Sequence, residues 1–100
     1  MATLVHSIAL RFQEDADRAQ IEQFFRDARA AANAQPGCTA VFAGFDRNLS
    51  GGNWTGALVV LFGTEDDYRQ YMASDAHKAL GATYGSLIAD KASTQFFDLD

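Results

Sequence analysis

The chain of 100 residues has one cysteine, one proline and two histidines. A lone thiol, Cys38, cannot close an internal disulfide, so no disulfide framework holds this chain. Bases are few as well: eight Lys and Arg stand against thirteen Asp and Glu, a net charge of −5. They are scattered and form no basic stripe. Phosphate backbones and anionic membrane surfaces both need concentrated positive charge, so no nucleic acid and no membrane is expected as a partner. No apolar run approaches the ~20 residues that span a bilayer. Met1 to Arg11 lacks a basic segment followed by a long apolar one, so no signal peptide is expected. Without one, the sequons Asn48-Leu49-Ser50 and Asn53-Trp54-Thr55 are read as chance matches. These absences predict a cytoplasmic protein.

What is abundant is apolar. Hydrophobic residues make up 48% of the chain, and phenylalanine alone occurs eight times. That is the composition of a packed globular protein. At this length a chain forms one domain, here 1–100, and folding buries roughly two-thirds of its accessible surface.

Leu4 to Phe12 alternates as a strand does. Leu4, His6, Ile8, Leu10 and Phe12 share the core face, and His6 is the exception in that apolar row. Either a backbone carbonyl satisfies it inside the core, or it lines a cavity; buried polar groups need partners in both cases. Ile21, Phe24, Phe25, Ala28 and Ala32 then follow helical spacing, which predicts a helix from about Ala16 to Ala34, stopped by Pro36-Gly37. Cys38 to Asp46 reads as a second strand and Arg47 to Asn53 as a turn. Ser50-Gly51-Gly52-Asn53 is no phosphate loop, because it lacks the lysine and precedes a strand. Trp54 to Gly63 is the third strand. Its run Ala57-Leu58-Val59-Val60-Leu61-Phe62 is apolar on both faces, as in a strand covered on both sides.

Thr64 opens the next helix, which carries Tyr68, Tyr71 and Met72. Ser74 and Asp75 are both good N-cap residues and predict a break after Ala73. The break matters for chemistry. On one unbroken helix, residues six apart end up roughly 120° apart and face different ways. A new helix starting at Ser74 or Asp75 instead places His77 in its first turn. The positive end of the helix dipole there disfavours imidazolium, and a neutral histidine near pH 7 is what a general base requires. The plainer alternative is a half-exposed first-turn polar residue. The second helical piece extends from Ala76 to Ala89, weakened by Gly81, Thr83 and Gly85. Lys91 to Leu99 closes the chain as a fourth strand.

The order βαββαβ predicts an α+β, ferredoxin-like domain: a four-stranded antiparallel sheet with its helices on one face. The far face is too apolar to stay wet. Two sheets packed face to face in an isologous homodimer would cover it.

In this order the chain resembles the dimeric α+β barrel proteins, the stress-responsive A/B barrel (Dabb) family. The resemblance rests on Val5-His6-Ser7-Ile8-Ala9-Leu10-Arg11-Phe12, Gln35-Pro36-Gly37 and Gly44-Phe45-Asp46. It also rests on Tyr71 followed by Ala76-His77 and on the closing Phe97-Asp98. It covers nearly all of the sequence. It implies a pocket between sheet and helices for a small apolar or carbonyl ligand. The family includes a plant polyketide cyclase whose strand-one histidine, tyrosine and second histidine match His6, Tyr71 and His77. That match implies His77 as general base on an acidic C–H, Tyr71 as its partner or as donor to an enolate, and His6 shaping the site. It implies no metal and no organic cofactor. Asp75 stands where the family often has proline, and a carboxylate there would raise the His77 pKa. Trp54 would narrow the pocket.

Three readings are thus open: a binding protein without turnover, a cofactor-independent cyclase or lyase, and a structural dimer whose own phenylalanines fill the pocket. Both imidazoles facing one enclosed cavity would favour the second. No cavity at all would favour the third.

Overall fold

The computed structural model describes residues 3–99. The elements are β1 (Leu4–Phe12), α1 (Arg18–Asn33), β2 (Cys38–Phe45), β3 (Gly56–Phe62), α2 (Glu65–Ala73), α3 (Asp75–Tyr84) and β4 (Ile88–Phe97), with a 3-10 turn, Gly85–Leu87, before β4. The sheet order is β2-β3-β1-β4. All three pairings are antiparallel. This is the ferredoxin-like arrangement that the order of elements predicts.

Each element begins where its local chemistry directs. Asp17 caps α1 by accepting from the Ala19 N–H, while the Gln20 side chain reaches back to the Asp17 N–H. The helix buries Ile21, Phe24, Phe25, Ala28 and Ala32, the stripe its spacing marks. Against that stripe lie Leu4, Leu10 and Phe12 of β1 and Leu58, Val60 and Phe62 of β3, all in one core. Burying each large apolar side chain contributes ~1.5–3 kcal/mol before the entropy of ordering is counted.

Two boundaries differ from expectation. The third strand starts at Gly56 rather than Trp54. A Cβ at position 56 would collide with the Gly44 carbonyl and the Phe25 ring, so the strands close together only where glycine stands. At the other end, α3 stops at Tyr84 and β4 already begins at Ile88. Ile88 and Ala89 therefore belong to a strand and not to a helix. The glycines at 81 and 85 and the 3-10 turn end the helix early, and Ile88 pairs with Phe12 across the sheet.

The core face of the sheet is closed by the helices; the other face is bare. Val5, Val59 and Leu61 are half-buried there, and Phe42 and Phe96 are 58% and 48% exposed. Among the described residues, no helix is long and apolar enough to cross a membrane.

Candidate active site

The break between α2 and α3 is made by one side chain. Ser74 Oγ accepts from the His77 N–H at 3.2 Å and donates to the Tyr71 carbonyl at 2.6 Å. It thereby ends one helix and starts the next, turning His77 back toward Tyr71. The two rings meet edge to face with centroids 5.0 Å apart. Tyr71 is buried and packs on Phe62; His77 is half-buried.

His6 reaches the same place from β1. It lines a cavity of about 130 Å³ together with Tyr71, His77, Leu58, Leu80, Gly81 and Lys91. An apolar cavity of ~150 Å³ holds one benzene molecule, so this one takes a ring or a short chain. Phe24 forms part of its wall without filling it. A structural dimer plugged by its own phenylalanines does not describe this interior.

Both imidazoles are held neutral. Burial, and secondarily His77 nearby, lower the His6 pKa from 6.5 to about 4. His77 is lowered by burial first and then by the Lys91 ammonium, while the Met72 backbone pulls the other way. Asp75, expected to raise His77, is not among the groups that shift it; the charge that acts is Lys91, from β4. Burial, followed by Cys38, pushes the Tyr71 phenol up to about 12, so it stays a donor at neutral pH. A neutral base, a protonated phenol and a cation thus border one small cavity.

His6 is buried, at 2% exposure, and its polar partner is not a backbone carbonyl. Gln95 Nε2 of β4 lies 2.9 Å from His6 Nδ1. His6 Nε2 is buried with no hydrogen-bond partner among the described residues. Tyr68 packs edge-on against the same ring at 5.0 Å. Trp54, expected to narrow this cavity, stands elsewhere, lining a depression with Phe45, Leu49 and Ala57.

Lys91 and Gln95 are the residues that sequence reading missed. Alternation along β4 puts both on one face, and the register against β1 places them. His6 pairs with Gln95 and Leu10 with Lys91, so both side chains share the core face of β1. Among the described residues, no three His, Cys, Asp or Glu gather as a metal site requires.

The stress responsive A/B barrel domain family model matches residues 4–99. No curated protein matches the chain. Among solved structures, a dimeric ferredoxin-like protein of unknown function from Thermobifida fusca is 26% identical, with a TM-score of 0.87 over 97% of this chain and 92% of that one. The hydroxynitrile lyase of Passiflora edulis is 15% identical, with a TM-score of 0.87 over 98% of this chain and 94% of that one. A Dabb family protein from Mesorhizobium loti is 13% identical, with a TM-score of 0.83 over the full length of both chains. The last two likenesses concern the fold alone.

Proposed function

Since the chain belongs to the stress responsive A/B barrel domain family, we propose that it holds a small carbonyl compound between sheet and helices. There His77 acts as general base on a C–H next to the carbonyl. The observation that carries this is one cavity bordered by His6, Tyr71 and His77, with both histidines neutral. A lone pair on His77 takes the proton, the enolate oxygen gathers charge, and the Tyr71 phenol as donor and Lys91 as cation border the same cavity to stabilise it. No group outside the chain is required. A lyase with the same fold, from Passiflora edulis, supports the reading at the level of scaffold only.

The cavity's size favours ligands of about seven heavy atoms over extended polyketides, whose tails would leave through the mouth beside the exposed Gly81. The test is deuterium incorporation next to the carbonyl of small ketones, cyclohexanone first, followed by NMR in heavy water. Wild type is expected to exchange ~10²–10⁴ times faster than His77→Ala. A ketone that raises the melting temperature of wild type without faster exchange would leave a binding protein with no proton-transfer chemistry. No ketone bound at all would end both readings.

Two further readings belong here. The bare apolar face of the sheet, with Phe42 and Phe96 at its surface, supports a homodimer through that face. Related structures described as dimeric support it as well. The free thiol Cys38 supports a cytoplasmic setting.

A further inference from the structure

Among the described residues, His6 Nε2 is a buried side-chain polar atom without a hydrogen-bond partner. A polar nitrogen removed from water without a partner is costly, and such sites are rare in native folds. Its other ring nitrogen explains its state. An amide NH₂ can only donate, and Gln95 Nε2 sits 2.9 Å from His6 Nδ1. With the amide in this orientation Nδ1 carries the lone pair. In the neutral ring the proton is then on Nε2, the atom left without a partner. His6 lies on the cavity wall at 2% exposure.

We propose that Gln95 is a positioning residue that fixes the His6 tautomer, and that the Nε2–H so displayed takes the acceptor oxygen of the cavity's ligand. The two histidines then have opposite roles: His6 donates to the oxygen and His77 accepts the proton. This rests on the ketone-binding reading above and narrows it. The ligand must present an uncharged or anionic oxygen acceptor toward β1, and compounds of equal shape without one are discriminated against. Gln95 touches the ligand only through His6. Burial holds His6 neutral, and without that neutrality the tautomer would have no meaning.

Two measurements test it. Long-range nitrogen–proton NMR on ligand-free wild type reads the tautomer directly; the expected form has the proton on Nε2. In Gln95→Glu the new carboxylate draws the proton to Nδ1, so the spectrum should switch to the other tautomer and the His6 titration midpoint should rise. Gln95→Leu, which leaves Nδ1 without a partner, should give a mixture. A wild-type proton on Nδ1 would overturn the proposal whatever binds. The second measurement compares cyclohexanone with methylenecyclohexane, which differ in the acceptor oxygen. Wild type should bind the ketone about five- to tenfold more tightly, and Gln95→Glu, which leaves Tyr71 and Lys91 in place, should narrow that preference; an unchanged preference in Gln95→Glu would overturn the ligand half. Equal binding of the two compounds to wild type, with the proton on Nε2, would mean the donor faces the Tyr68 ring instead, and would overturn the ligand half. Neither compound binding would overturn that half together with the proposed function, and the tautomer result would still stand by itself.

Discussion

His6 carries a consequence that does not depend on any ligand. Its folded pKa of about 4 lies below the 6.5 of an unperturbed histidine. Between those values the unfolded chain binds more protons than the folded one, so stability rises with pH there and is lost as pH falls from 6.5 toward 4. His77 is shifted the same way and adds to the loss. The urea midpoint should therefore be lower at pH 5 than at pH 7, with a smaller difference in His6→Gln; equal wild-type midpoints would contradict the buried neutral ring. Period-two alternation alone marked His6 as the odd residue on a core face, and the cap residues marked the turn that brings in His77. What alternation could not supply was the partner. Gln95 lies 89 residues away and meets His6 only through strand register. Lys91 was hidden the same way, while the visible neighbour, Asp75, is not among the groups that set the His77 shift. Adjacency in the chain misled where adjacency across the sheet decides.

Among the elements, the α2–α3 junction is the one whose geometry the site depends on. Ser74 closes α2 at the Tyr71 carbonyl and opens α3 at the His77 N–H. Replacing an N-cap serine with alanine costs ~1 kcal/mol. Ser74→Ala should lower the melting temperature by a few degrees and slow exchange more than that loss of stability explains, because His77 is released from Tyr71. Ser74→Asp keeps the cap but cannot donate to Tyr71, and should recover most of the stability. A Ser74→Ala variant with normal exchange would show that the junction is not what aims the imidazole. The far end of α3 is tied separately, by the Tyr84 hydroxyl donating to Asp27 of α1. This tie was not legible in the sequence, because Asp27 and Tyr84 stand 57 residues apart. The early end of α3 was missed too. Helical and strand periodicities both fit Ile88 and Ala89, and only pairing with β1 chooses between them.

For the molecule as a whole, the sequence's doubly apolar third strand pointed to a sheet covered on both sides, and in a single chain only one side is. Phe42 projects from the uncovered side at 58% exposure. If that face is a dimer interface, Phe42→Asp should give a monomer by light scattering at micromolar concentration while the fold survives. A wild type already monomeric there would dismiss the interface. β4, at the sheet's edge, serves both sides of this question. Its successive side chains alternate, so the exposed Gln95 turns to the core face of β1 and meets His6 while Phe96, the very next residue, stands on the bare face. If a second chain seats Phe96, it holds the same backbone that carries Gln95. Occupancy of the cavity and association of chains would then be thermodynamically linked, and the apparent affinity for a ketone should weaken on dilution of the protein.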